Sequence, residues 1–389
     1  MRTLLILLLI SFGINSSAQE NYSEKAFDLR LFSSSSDHWY RIKDKNNIID
    51  PLPDQQRYKP TQITQIADNM LLYQRNNGGW PKNYDMQAIL NEKQKQRLLK
   101  TKDELHTTFD NGTSYTQVNY LAQIYTKTKI LKYKEACLKG FQFILDAQYK
   151  NGGWPQYYPL QNNYSRHITF NDGAYMGIMN LLKKVTADSP EFAFLPTALR
   201  HQLEAAYKKG INCILDCQIT DQGKLTAWCQ QHDEETLKAT WARAYEPPSI
   251  CNGESVPIVF FLMQLEKPDE RVINAIQGAV KWFSDSRIFN TRIEWFDAPT
   301  EETPFTTITK DKRVVNDPSA PPIWTRFYEL ETERPLFCDR NSKFLYSMAE
   351  VSRERRVGYG WYTDAPQYVL NAYPDWLKRT GITENVIEN

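Results

Sequence analysis

Asn77-Gly78-Gly79-Trp80-Pro81 is met again as Asn151-Gly152-Gly153-Trp154-Pro155, and a glutamine, Gln74 or Gln148, stands just ahead of each copy. Each copy leads into a second small motif: Asp110-Asn111-Gly112 opens TSYTQVNYLAQIY, and Asn171-Asp172-Gly173 opens AYMGIMNLLKKV. A degraded third copy runs from Gln218-Ile219-Thr220-Asp221-Gln222-Gly223, with Trp228 beyond it, to Asn252-Gly253-Glu254 opening SVPIVFFLMQL. The order of motifs survives while most residues change, which marks a repeat array whose unit is helix, aromatic loop, acidic loop, helix. The expected fold is therefore mainly α, with helical hairpins repeated in an (α/α) toroid-like array and short irregular or β segments.

Hydrophobic periodicity supports the helices. QITQIADNMLLYQ places Ile63, Ile66, Met70 and Leu71 near one face, and the same spacing recurs in YKEACLKGFQFILDAQ, LRHQLEAAYKKGINCILDCQ and VINAIQGAVKWF. Strand signals are confined to short pieces such as TRIEWFDA and TPFTTIT, so residues 286–322 read as irregular loops that close over a site. The chain divides into a signal peptide over 1–18, a partly ordered lead-in over 19–60 that wraps the fold, and a single catalytic domain over 61–385. The first division rests on Arg2 followed by the apolar run Leu4 to Ile10 and the small residues Ser16-Ser17-Ala18. That run is too short to span a bilayer, so the reading is a secreted or periplasmic protein with no membrane anchor.

Net charge is +1 from 47 basic and 46 acidic residues, which leaves no field to gather nucleic acid. An anionic ligand must be held by local clusters, and the chain reads as a monomer. Six cysteines do not make a disulfide scaffold; Cys213 and Cys217 read as buried thiols, with one or two disulfides as the alternative. Aromatic residues make up 13% of the chain, and most belong in the core, but loop aromatics such as Trp80, Trp154, Tyr157 and Tyr158 are candidates for stacking on sugar rings.

Taken singly, Asp110 and Asp172 read as helix caps. Taken together, two acidic loops at matching places in stacked repeats can meet in one cleft, and Asp110, Asn111 and Asp172 then form an all-oxygen site for a hard divalent cation. Two later phrases, Trp241-Ala242-Arg243-Ala244-Tyr245-Glu246 and Trp324-Thr325-Arg326-Phe327-Tyr328-Glu329, each set an Arg between aromatics and ahead of an acid, and Arg340 follows in Phe337-Cys338-Asp339-Arg340. Such arginines suit either carboxylate recognition or structural ion pairs.

NGGWPK, DNG, FNDGA, WARAYE, WTRFYE and FCDR, in that order, resemble the pectate lyases of polysaccharide lyase family 10, from about Ile63 to Tyr362. The resemblance implies a helical toroid-type fold and cleavage of polygalacturonate, the backbone of pectin, by β-elimination with Ca2+. It implies that Asp110, Asn111 and Asp172 bind calcium, that Arg243 removes the C5 proton, and that Arg326 and Arg340 hold uronate carboxylates; Trp80 and Trp154, read from their place in the aromatic loops, are expected to line the sugar cleft. Two other readings stand beside it: an inverting glycoside hydrolase using Asp172 and Glu246, and a non-catalytic binder of acidic polysaccharide.

Overall fold

The computed structural model describes residues 26–42, 44 and 47–387, so the signal peptide expected over 1–18 lies outside the described residues. Its α-helices are α1 (Ser33–Arg41), α2 (Ile63–Tyr73), α3 (Glu92–Lys100), α4 (Tyr115–Thr128), α5 (Leu131–Asp146), α6 (Ala174–Thr186), α7 (Thr197–Cys217), α8 (Asn252–Met263), α9 (Glu270–Asp285), α10 (Arg353–Gly358) and α11 (Ala365–Thr380).

The repeat is explicit in the hydrogen bonds. Trp80 Nε1 donates to Met70 O (2.8 Å), Trp154 Nε1 to Ile144 O (2.9 Å) and Trp228 Nε1 to Ile214 O (2.7 Å), so each indole is buried against the helix that precedes it. The glutamines tie each unit to the next. Gln74 Nε2 bridges Gly78 O and Ala136 O, Gln148 Nε2 bridges Gly152 O and Ala206 O, and Gln218 Nε2 bridges Thr226 O and Ala275 O; the second acceptors lie on α5, α7 and α9. Gly78 and Gly152 take φ of 91° and 95°, and a Cβ would lie 2.3 Å from Lys139 O or 2.2 Å from Lys209 O, so only glycine lets the turn approach the next helix. A fourth unit, unread in the sequence, follows the same rule: Trp324 Nε1 donates to Phe283 O (2.9 Å) at the end of α9.

The units are α2 with α4, α5 with α6, α7 with α8, and α9 with α11. Helices α4, α6, α8 and α11 pack in succession as one layer, and α2, α5, α7 and α9 form the other. In the first three units the acidic loop leads into the helix of the first layer, so the N-termini of α4, α6 and α8 gather at one edge. That edge carries unpaired N–H groups and a partial positive charge.

The toroid expected from the sequence is not borne out. The chain is about 45% helical and 14% strand, with small antiparallel sheets. Four units make an open two-layer array, and the chain that could have extended it is spent on strands. Thr291–Glu302 pairs with Thr307–Asn316 as a long hairpin with a register shift between Asp297 and Glu301. The expectation of irregular loops over 286–322 is corrected by the same hairpin. A four-stranded sheet joins Phe344–Leu345, Pro335–Cys338, Phe327–Tyr328 and Ile250–Cys251. It carries a second apolar cluster that includes Phe327, Leu336, Phe337 and Trp361.

The lead-in is built into the core through Phe32 and Trp39, both buried, and Trp39 Nε1 donates to Ile49 O (2.8 Å). It also presses on the first acidic loop. Ser35 Oγ donates to Asn111 O (3.4 Å), and Gly112 has φ 77° with no room for a Cβ, which would sit 1.8 Å from Leu31 O. All six cysteines are buried free thiols, and no described helix is long and apolar enough to cross a membrane.

Candidate active site

The loops Asp110–Gly112 and Asn171–Gly173 pack on one another at the shared edge. In the first, Asn111 adopts φ 49°, ψ 42°; in the second, Asp172 adopts φ 51°, ψ 26°. Asn and Asp are the non-glycine residues best suited to this left-handed region. The two acids are therefore not at equivalent positions. Asn111 matches Asp172 and Asp110 matches Asn171, so the pair of loops presents acid and amide in swapped order.

Asp110 is 2% exposed, its Oδ2 accepts a hydrogen bond from Lys82 Nζ, and its Oδ1 is buried with no partner. Asp172 is exposed, and its carboxyl is pushed up to about 7 by burial in the cleft and by the Asp110 and Glu254 carboxylates. Because water reaches this side chain, the like-charge repulsion is the firmer of the two causes. Glu254 comes from the acidic loop of the third copy, which sequence reading placed without giving it a role.

Arg243, Arg326 and Arg340 share one construction. Arg243 donates from Nε (2.7 Å) and Nη2 to Glu246, and Glu246, 1% exposed, also accepts from Tyr359 Oη (2.7 Å). Arg326 Nη2 donates to Glu254 Oε1 (2.8 Å), while its Nε is buried with no partner. Arg340 donates from Nε (2.9 Å) and Nη2 (3.0 Å) to Glu354. Aromatic rings cover the guanidinium faces: Tyr359 lies 4.7 Å from Arg326 Cζ, and Tyr245 lies 5.1 Å from Arg243 Cζ and 5.4 Å from Arg340 Cζ. Arg243 and Arg340 are fixed along the Nε–Nη2 edge by a carboxylate and Arg326 through Nη2 alone, and Nη1 takes no part in these bonds.

The pair with Glu246 holds the Arg243 guanidinium above the ordinary arginine range, against a burial penalty that would lower it. Arg243 and Arg326 both act electrostatically on Asp172, which sets arginines and acidic loops in one site. Tyr164 is near enough to both sets of charges to feel Arg243 and Glu246 as well as Lys82 and Asp110. A cavity of about 520 Å³ opens beside Lys82, Tyr157 and Tyr164.

Asp110, Asn111, Arg243, Arg326, Arg340 and Asp172 are thus at the same edge. Trp80 and Trp154 are not: they are 0% and 1% exposed, and the expectation that they line a sugar cleft is corrected by their burial against Met70 and Ile144. Tyr359 and Glu354 were missed, because an aromatic or acid remote in sequence from its arginine gives no local signal; Tyr245 stands beside Arg243 in the phrase already singled out.

The donor set fits a hard cation: oxygen ligands from two loops, one of them a buried carboxylate oxygen left without a partner. His167, Asp233 and Glu234 also cluster, but Glu234 is occupied by Arg166 Nε and His167 Nδ1, and Asp233 Oδ1 accepts from the Glu235 and Thr236 N–H groups. That group is a self-satisfied ion-pair network.

Comparison with known proteins gives the family. No curated protein matches the chain. Among solved structures, a family 10 polysaccharide lyase from Cellvibrio cellulosa superposes with a TM-score of 0.67 at 28% identity, covering 83% of this chain and 96% of that one. A point mutant of the family 10 lyase from Cellvibrio cellulosa, in complex with trigalacturonic acid, matches with the same TM-score and identity over 81% of this chain and 96% of its own. The family model for pectic acid lyase matches residues 74–370, a span holding both acidic loops, all three arginines and their glutamates, and the chain belongs to the pectic acid lyase family.

Proposed function

We propose that this polysaccharide lyase is a calcium-dependent, secreted pectate lyase that cuts polygalacturonate by β-elimination and releases unsaturated oligogalacturonides. The observation that carries the reading is a pair of buried atoms without partners in one site. Asp110 Oδ1 is an acceptor and Arg326 Nε a donor, and neither atom has a partner among the described residues, although Asp110 Oδ2 meets Lys82 and Arg326 Nη2 meets Glu254. A cation and a uronate carboxylate satisfy both, and buried polar groups left unpaired are costly. The trigalacturonic acid bound to the Cellvibrio relative supports a galacturonate substrate.

Asp110, Asn111 and Asp172 would hold the ion. Bound there, calcium supplies charge neutralisation for the carboxylate beside the carbon that loses its proton. Arg326 and Arg340 grip uronate carboxylates through the N–H groups their glutamates leave unused. The C5 proton passes to Arg243, the C–H electron pair forms the C4=C5 double bond, and the C4–O bond breaks with water protonating the departing oxygen. Glu246 opposes the proton transfer by keeping Arg243 charged. Turnover therefore rises with pH, because only the neutral guanidinium accepts a proton.

Glu246 is unsuited to the inverting-hydrolase reading. Both its oxygens already accept hydrogen bonds, Oε2 from Arg243 N and Nε and Oε1 from Arg243 Nη2 and Tyr359 Oη, so neither is free to take a proton from an attacking water. The test is elimination on polygalacturonate with and without a chelator. Ultraviolet-absorbing unsaturated ends that vanish on chelation are expected, and products with only saturated reducing ends refute the proposal.

A further inference from the structure

The hairpin Thr291–Asn316 has a place in the repeat. In the third unit, the space between α7 and Trp228 is filled by a short hairpin of Thr220–Asp221 with Lys224–Leu225. In the fourth unit, the same space between α9 and Trp324 holds the long hairpin. The extension leads to Arg340. Phe305, at the tip, lies with its ring centroid 3.5 Å from Arg340 Cζ, on a guanidinium that also meets Tyr245 and is bonded along one edge to Glu354.

The tip is a built turn rather than a loose one. Thr303 N donates to Thr306 O (3.1 Å), and Thr303 Oγ1 accepts from both Phe305 N (3.2 Å) and Thr306 N (3.0 Å). The arms are clamped to the arginine side of the molecule: Arg353 Nη1 donates to Pro299 O (2.7 Å), Arg356 holds Asp311 through Nε and Nη2, and Lys312 Nζ donates to Tyr359 O (2.8 Å). Yet Phe305 is 61% exposed and belongs to neither apolar cluster. A large aromatic side chain held in water on a rigid tip contributes little to the core, so its contact with Arg340 needs another account.

We propose that Phe305 is a positioning residue for substrate: it fixes the plane of the Arg340 guanidinium, shields that charge from water, and so sharpens the preference for a free uronate over its methyl ester. Shielding strengthens the attraction of Arg340 for a carboxylate, whereas a methyl ester carries no charge to attract. The inference rests on the reading of Arg340 as a uronate-holding residue.

The test compares Phe305→Ala, Phe305→Leu and Phe305→Tyr in elimination kinetics on polygalacturonate and on highly methyl-esterified pectin. Loss of the ring in the Ala and Leu variants is expected to raise KM on polygalacturonate by about three- to tenfold, with kcat within about twofold, and to lower the discrimination against the ester by a similar factor. The Tyr variant keeps the ring and stays near the parent. An unchanged KM in Phe305→Ala, a loss confined to kcat, or a Tyr variant as impaired as the Ala variant overturns the proposal. So does a fall in thermal stability of more than about 3 °C in Phe305→Ala, which would assign the ring a structural role. Absence of unsaturated products from the parent protein refutes the lyase reading itself, and is distinguishable because it is seen before any variant is compared.

Discussion

His232 should make the acidic-loop edge sensitive to mild acid. It is 0% exposed, beneath the second acidic loop: its strand partner is Ile168, the ring of Phe170 meets it edge-on, and the neighbouring Gln230 O accepts from Phe170 N and Asn171 N. The imidazole is bonded at both ends, with Nδ1 donating to Leu237 O (2.9 Å) and Nε2 accepting from Cys229 N (3.1 Å). This arrangement admits only the neutral ring, because a proton on Nε2 would face the Cys229 N–H. Burial accordingly lowers the group from 6.5 to about 4.

A folded-state value below the unfolded one means that the unfolded chain binds the extra proton first. Stability is unaffected well above pH 6.5, falls as pH drops from 6.5 toward 4, and reaches its full deficit below 4. The whole shift is worth about 3 kcal/mol, and the part between pH 7 and pH 5 is about 2 kcal/mol. For a chain of this size that corresponds to about 2–3 °C in Tm. The measurement is denaturation at pH 7 and pH 5 for the parent and for His232→Asn, whose amide can keep a donor toward Leu237 O. The variant starts less stable, but it should lose about 2 kcal/mol less than the parent on acidification. Equal losses in the two proteins would refute the reasoning.

Glu246→Gln removes the charge that keeps Arg243 protonated, so the rise of kcat/KM with pH should begin about one unit lower, with a reduced maximum because the guanidinium is less firmly oriented. A profile that stays in place or moves to higher pH would contradict Arg243 as the proton acceptor. Gly112→Ala should cost at least about 2 kcal/mol and expose the lead-in to proteolysis, since φ 77° and the 1.8 Å approach to Leu31 O leave no room for a methyl group. Unchanged urea unfolding and protease resistance would show that the lead-in yields instead.

The parts of the fold legible in the sequence were those with a short-range physical cause. Gln74, Gly78 and Trp80 act within one turn and its flanking helices, so their spacing is held from copy to copy and can be read directly. The fourth copy escaped notice because its Trp324 is separated from α9 by the hairpin, although its indole makes the same bond to the preceding helix. The swapped register of the acidic loops was hidden for a related reason. DNG and NDG look alike as composition, and only the left-handed φ at Asn111 and Asp172 shows which positions match.

Ring closure was the inference with the least local support. Hairpin repeats specify how one unit seats on the next, through the glutamine bridges to Ala136, Ala206 and Ala275, but contain nothing that counts the units. Within the fourth, residues 287–364 are mostly strands, turns and the short helix α10, and they contribute to the candidate site Arg326, Arg340, Glu354, Tyr359 and the hairpin beside them. Under the proposed function, the open edge is therefore functional as well as architectural. The repeats bring the carboxylates to the N-termini of α4, α6 and α8, and the non-repeating segment brings most of the guanidinium groups to meet them. Under that proposed function, a cleft that takes both a cation and an anionic polymer is assembled from one part of the chain that supplies Asp110, Asp172 and Glu254 and another that supplies Arg326 and Arg340.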